Sequence, residues 1–222
     1  MSIKLKDILI GTTIGAVFGF LIILTPTYND YKHLYSQKNL SDAAIVTTIN
    51  EGKYEIYHRG IILENTDDLV SEAYSHIPEE LLNSFYDEGC HFVTAGIEEF
   101  GLDELYSGVT LYNHSDCIGI TVRCDPQAIS IPNTICHEYG HYLDYLTDAS
   151  STDEWIQICE EEYPESRLTG YYAAPEEYFA EIFAYHCYPN IPFTEIQRRN
   201  CPKSYEYMDR VVSELIIQAQ YL

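Results

Sequence analysis

The sequence predicts a mainly helical α+β domain with a small sheet, preceded by one N-terminal transmembrane helix. Three observations carry this prediction. The stretch Ile8–Leu24 contains no charged residue, Cys117–Arg123 alternates like a strand, and apolar residues recur at helical spacing from Ile135 to Leu146. The residues after position 50 number roughly 170, which is enough for one domain with its own core.

Ile8–Leu24 is the candidate membrane span. Lys4 and Lys6 precede it, and its length is at the lower limit for a helix that crosses a bilayer. No small-x-small cleavage site follows it, so we expect an uncleaved signal anchor; the alternative is a cleaved signal peptide and a secreted protein. The short leading tail favours a cytoplasmic N-terminus, although Lys32 and Lys38 reduce the charge difference across the membrane.

The domain boundaries follow from this anchor. The segment after it is polar and is predicted to be a stalk, which holds a folded domain outside the cell at the membrane surface. The predicted ranges are a cytoplasmic tail 1–7, the anchor 8–24, the stalk 25–50 and the folded domain 51–222.

Further elements are predicted along the folded domain. The run from Pro78 to Gly89 is typical of a helix that ends at its glycine, and a strand His91–Thr94 follows. Cys117–Arg123 is predicted as a second strand, just before the central helix. A final helix from about Tyr205 to Ala219 closes the domain.

The central helix contains the run His137-Glu138-Tyr139-Gly140-His141. Two histidines four apart on a helix point the same way, so both imidazoles reach one ion at ~2.0 to 2.1 Å. Glu138 is then placed to take a proton from a water on that ion. Asn133 is the expected N-cap of the helix. The alternative is a buried helix whose histidines are only hydrogen-bonded.

A second helix is expected to supply the missing ligand, because hydrolytic zinc normally takes three protein ligands. The run Ala174–Tyr185 predicts this helix, with Pro175 at its first position. Glu177 and Glu181 share one face of it. One carboxylate is expected to bind zinc and the other to accept the free N–H of a zinc-bound histidine. Spacing alone leaves open which carboxylate has which task.

These two runs resemble a known family. His137 to Asp144, followed about thirty residues later by Glu177-Tyr178-Phe179-Ala180-Glu181-Ile182-Phe183, is similar to the catalytic domain of anthrax lethal factor and its relatives. That group includes the bacterial Pro-Pro endopeptidases and belongs to the glutamate-zincins. The resemblance covers roughly residues 80 to 215, and it implies a zincin-type metallopeptidase fold.

The resemblance also implies tasks for single residues. Glu177 becomes the third zinc ligand and Glu181 the partner of a ligating histidine. A tyrosine shortly before Glu177 stabilises the oxyanion in the family; Tyr171 is the preferred match and its neighbour Tyr172 the alternative. Asp144 matches an acidic position that orients His141, although an aspartate on a helix surface is an equally ordinary reading.

The resemblance implies a task for the predicted sheet as well. In peptidases of this kind the strand before the zinc helix forms the edge of the cleft. We therefore expect an extended peptide to add to Cys117–Arg123 through backbone hydrogen bonds.

Cysteines and charge limit the remaining possibilities. If the domain lies outside the cell, disulfides are permitted, and the pairs nearest in sequence are Cys117 with Cys124 and Cys187 with Cys201. Seven cysteines leave at least one thiol unpaired within the chain. A net charge of −23 opposes binding to nucleic acid or anionic lipid headgroups. No feature predicts an oligomeric state.

Together these patterns predict a membrane-anchored endopeptidase with one zinc ion and a peptide or protein substrate. His137, His141 and Glu177 bind the metal, Glu138 activates water, and Tyr171 assists the oxyanion. The alternative is an inactive or toxin-like surface protein that binds peptides in a cleft of the same kind.

Overall fold

The computed structural model describes residues 45–100, 106–112, 117–128, 130–166, 168, 170–188 and 193–219. The strands are β1 Ile45–Ile49, β2 Tyr54–Arg59, β3 His91–Ala95, β4 Gly108–Tyr112 and β5 Cys117–Arg123. The helices are α1 Thr66–Tyr74, α2 Glu79–Asp87, α3 Ile97–Phe100, α4 Ile131–Thr147, α5 Asp153–Ser166, α6 Pro175–Cys187, α7 Phe193–Asn200 and α8 Pro202–Ala219. Short 3-10 helices cover Ala149–Ser151 and Gly170–Ala173. The predicted α+β class, mainly helical with a small sheet, is confirmed.

The described residues form two compact units. The first contains those up to Ser71 and those between Phe85 and Ile131, and the second contains Glu72–Ser84 and those from Pro132 onward. The strand β1 lies within the range 25–50 assigned to a stalk, so the last residues of that range belong to the sheet.

The first unit contains a five-stranded sheet of order β1-β2-β3-β5-β4. The pairs β2–β3 and β3–β5 are parallel, whereas β1–β2 and β4–β5 are antiparallel. Buried apolar side chains from β3, α3 and β4 form its core: Val93, Ala95, Phe100, Val109 and Leu111. Burial of such side chains stabilises the unit because apolar area is removed from water.

The prediction that residues 117–123 form an open sheet edge is wrong, because this strand lies inside the sheet. The strand β5 pairs with β3 on one side and with β4 on the other. The residues from Gly119 to Val122 are paired on both sides, and no peptide can add to them without displacing a neighbour. Among the described strands, the sheet edges are β1 and β4.

The second unit consists of helices, and two of them begin earlier than the sequence predicted. The helix α4 begins at Ile131, so Asn133 lies inside its first turn and is not the N-cap. The helix α8 begins at Pro202, three residues before the predicted start at Tyr205. A proline is tolerated in the first turn because the amide it lacks has no partner there. The same preference correctly places Pro175 at the start of α6.

The cysteine pairs suggested from sequence proximity are wrong. Cys124, Cys187 and Cys201 carry free thiols, as do Cys136 and Cys159, and all five are buried. Cys90 is disulfide-bonded.

Within the described part of the chain, no helix is both long and apolar enough to cross a membrane. The predicted anchor 8–24 lies outside the described residues.

A buried candidate metal centre

The candidate site lies in the second unit, where α4 and α6 approach each other closely. A Cβ atom added to Gly140 of α4 would lie 2.7 Å from the Ala180 Cα atom and 2.9 Å from its carbonyl oxygen. Only glycine fits this contact, because a real Cβ atom does not approach backbone atoms so closely. The contact falls between His137 and His141 on one helix and between Glu177 and Glu181 on the other. It therefore brings the four side chains together.

Three of these side chains converge on one point. The Nε2 atoms of His137 and His141 lie 3.1 Å apart. A carboxylate oxygen of Glu177 lies 3.4 Å from Nε2 of His137 and 3.5 Å from Nε2 of His141. The three donor atoms all fall within 4.8 Å of one another, and all three residues are buried. Two imidazoles and one carboxylate are the donor set of many catalytic zinc sites, so the residues fit a zinc ion.

Glu181 lies on the other side of the His137 ring. Its carboxylate is 3.0 Å from Nδ1 of His137 and is buried. This contact leaves Nε2 of His137 directed at the candidate metal position. Burial and the Glu181 carboxylate raise the pKa of Tyr185, which lies one turn further along α6. The two glutamates thus occupy different places: Glu177 beside both Nε2 atoms and Glu181 behind one ring.

The charges of the site are strongly coupled. Burial favours the neutral ring of His137, but hydrogen bonds with Glu177 and Glu181 outweigh it and raise its pKa to about 10. Burial likewise disfavours the charged carboxylate of Glu177, yet His141 and His137 lower its pKa to about 2. In the metal-free protein the site therefore holds an ionised carboxylate against a histidine cation, and a metal must displace that proton.

Glu138 follows His137 on α4 and is fully buried. Tyr172 lies close to the same group: its ring centroid is 6.1 Å from that of His137. Burial raises the pKa of Tyr172, and the carboxylates of Glu181, Glu177 and Glu138 raise it further. The Tyr172 phenol therefore stays protonated beside the site and can donate a hydrogen bond.

The structure gives no support for the tasks predicted for two residues, Tyr171 and Asp144. The side chain of Tyr171, preferred for the oxyanion, lies outside the described part of the structure, whereas its neighbour Tyr172 is beside His137. The Asp144 carboxylate accepts hydrogen bonds from the amide and the hydroxyl of Ser150, at 2.7 and 2.6 Å. Nδ1 of His141 has no hydrogen-bond partner among the described residues, so His141 does not donate a hydrogen bond to Asp144 there.

Sequence reasoning missed three residues of this neighbourhood. Gly140 and Ala180 form the helix contact, and Tyr185 contacts Glu181. A glycine inside a predicted helix was the one signal available, because it lowers helix stability unless close packing requires it. Nothing in the sequence pairs Gly140 with Ala180, since the two are far apart in the chain.

Residues 104–211 match the family model described as anthrax toxin lethal factor, N- and C-terminal domain. No curated protein sequence matches the chain significantly. Among solved structures, the Pro-Pro endopeptidase from Paenibacillus alvei superimposes with a TM-score of 0.56 at 22% sequence identity, covering 70% of this chain and 96% of that one. This likeness shows a shared fold. The resemblance drawn from the two helices is thus confirmed: residues 104–211 are similar to the anthrax lethal factor domain, and the fold is shared with a Pro-Pro endopeptidase.

Proposed function

We propose that the chain is a zinc-dependent endopeptidase. The observation that carries the proposal is the convergence of His137, His141 and Glu177 within 4.8 Å, with all three buried. Glu138 and Glu181 are buried beside them. Three carboxylates packed around two imidazoles are costly away from water unless a cation balances them. A divalent ion held by the three donors supplies that balance.

His137, His141 and Glu177 would hold the zinc, and Glu181 would orient His137 by accepting its Nδ1 proton. When bound, zinc acts as a Lewis acid that lowers the pKa of water and polarises the peptide carbonyl. Glu138 accepts the proton of the attacking water and passes it to the leaving amine. The hydroxyl of Tyr172 donates a hydrogen bond to the developing oxyanion. We prefer Tyr172 to Tyr171 because its ring lies against His137.

Cleavage of a diverse peptide library, followed by mass spectrometry, tests the proposal. The purified full-length chain with one equivalent of zinc is expected to cleave, and a Glu138→Gln variant is expected to bind zinc but lose at least about 100-fold in rate, since proton transfer contributes about that much. Comparable turnover in the variant contradicts the mechanism. A wild type that binds zinc and cleaves no peptide favours a peptide-binding relative.

A pair of tyrosine variants tests the oxyanion assignment. Removing the Tyr172 hydroxyl as Tyr172→Phe is expected to lower kcat by about 10²-fold or more with little change in KM, as loss of an oxyanion donor does. Tyr171→Phe is the matched control and is expected to stay near wild type. The reverse pattern assigns the oxyanion to Tyr171.

We further propose peptide substrates and a position at the cell membrane, with the peptidase outside. The Pro-Pro endopeptidase of similar fold is named for cleavage of peptides, which supports the substrate class. The uncharged stretch 8–24 supports the anchor, and the disulfide at Cys90 supports an oxidising compartment. Protease accessibility of the domain on intact cells tests this orientation. Digestion of the domain only after the membrane is opened contradicts it.

A further inference from the structure

The one tryptophan of the chain, Trp155, lies in the third position of α5 and is fully buried. Its ring stacks on Tyr178 with centroids 5.4 Å apart and meets Phe179 edge-on at 5.3 Å. Tyr207 closes the third side at 5.1 Å. Tyr178 and Phe179 directly follow the proposed zinc ligand Glu177 on α6. Trp155 therefore packs against the turn of α6 that carries this ligand.

A hydrogen bond joins Trp155 to the backbone of the same turn. Its indole Nε1–H donates to the carbonyl oxygen of Pro175 at 2.8 Å. Pro175 is the first residue of α6, two positions before Glu177. The residue before it, Ala174, makes no side-chain cap. Such a helix start lacks the usual capping interaction and is prone to fraying. The hydrogen bond from Trp155 restrains its first residue from outside the helix.

Trp155 is itself held in place from the opposite side. Its amide donates to the hydroxyl oxygen of Thr152 at 3.2 Å, and that oxygen lies 2.8 Å from the hydroxyl of Tyr207. Tyr207 in turn donates to the carbonyl oxygen of Ala149 at 2.9 Å. The indole N–H is thus held in one position, and that position determines where the carbonyl oxygen of Pro175 must lie to accept its hydrogen bond.

We propose that Trp155 is a positioning residue for the metal ligand Glu177. Its indole N–H sets the start of α6 so that the Glu177 carboxylate meets both histidine Nε2 atoms. This inference rests on the proposed zinc site, but it concerns the affinity of that site and not the reaction. In an α-helix the Pro175 carbonyl also accepts from the amide four residues on, so loss of the indole N–H leaves no buried acceptor without a partner.

Zinc affinity, measured by competition with a chromogenic chelator, is the primary readout. A Trp155→Phe variant retains an aromatic ring but lacks the donor. We expect it to bind zinc about 10-fold or more weakly, in line with other residues that orient metal ligands. Excess zinc should restore its peptidase rate. The matched control is Tyr178→Phe, which removes a buried hydrogen bond from the Tyr178 hydroxyl to Ser204 Oγ, 2.9 Å long, in the same cluster.

The control is expected to lower the melting temperature but to leave zinc affinity within about twofold of wild type. Equal zinc affinity in Trp155→Phe and wild type, or an equal loss in both variants, overturns the proposal. If Trp155→Phe does not fold, β-(3-benzothienyl)alanine replaces tryptophan during expression. Since the chain has one tryptophan, this isostere changes a single site and removes only the N–H.

The wild-type measurement separates the two proposals. A wild type that binds one zinc without cleaving peptides contradicts the peptidase, and the comparison of variants still decides the task of Trp155. A wild type that binds no zinc contradicts both.

Discussion

The close contact between α4 and α6 depends on Gly140, and the substitution Gly140→Ala tests this dependence. The added methyl group would lie 2.7, 2.9 and 3.2 Å from the Cα, O and C atoms of Ala180. All three are backbone atoms, so no change of side-chain rotamer relieves the contact. Ala180→Gly would not relieve it either. The helix α6 must move away from α4.

The magnitude follows from these distances. A carbon–carbon contact needs about 3.5 Å, so the helices must separate by about 0.8 Å at this point. Overpacking of this kind costs about 1–3 kcal/mol, and the better helix propensity of alanine recovers up to about 1 kcal/mol. The net loss of stability is therefore between about 0 and 3 kcal/mol. Because Glu177 moves with α6, its carboxylate moves away from His137 and His141, and zinc affinity should fall by about 10- to 100-fold.

The assay combines thermal unfolding of the metal-free protein with zinc binding at a temperature where the variant is folded. Gly170→Ala is the matched control, because a Cβ atom there meets nothing within 4 Å. It adds the same methyl group and should keep wild-type zinc affinity. A Gly140→Ala variant that is more stable than wild type and binds zinc equally well would refute the argument.

Two further predictions concern elements away from the metal. The Glu162 carboxylate accepts hydrogen bonds from the amide and the hydroxyl of Ser204, both 2.8 Å long. Glu162→Ala should therefore lower the free energy of unfolding by about 2 kcal/mol in urea titrations. Glu161 is exposed, so Glu161→Ala is the control and should behave like wild type. Burial lowers the pKa of His58 despite the nearby Asp67. The unfolded state therefore binds more protons below about pH 6.5. Stability should fall as pH drops through that value, and a His58→Gln variant should lose this part of the pH dependence.

Local patterns predicted the parts of the site that lie within one helix. The spacing of His137 and His141 places both rings on one face whatever surrounds the helix. Pro175 correctly marked the start of α6, because its preference for the first turn depends on the backbone alone. The pairing of Glu177 with the histidines required the family resemblance, since spacing treats Glu177 and Glu181 alike.

Features that depend on pairing of distant segments could not be predicted. The strand β5 alternates as an edge strand would, but its neighbours β3 and β4 are set by the order of strands in the sheet. The indole of Trp155 reaches a carbonyl twenty residues away, and no pattern within α5 indicates that contact. Tyr171 and Tyr172 differ by one position in a 3-10 turn, where a single residue changes the direction of the side chain by about 120°.

The two middle positions of the zinc motif are therefore more than spacers. Tyr139 is fully buried, and its hydroxyl lies 2.8 Å from that of Tyr74, so it ties the helix to its own unit from the side away from the metal. Gly140 faces α6 and admits its backbone. Exchanging the two residues would preserve composition and the spacing of His137, Glu138 and His141. It would nevertheless place a phenol where Ala180 must lie, so the motif would remain in the sequence while its third ligand was lost.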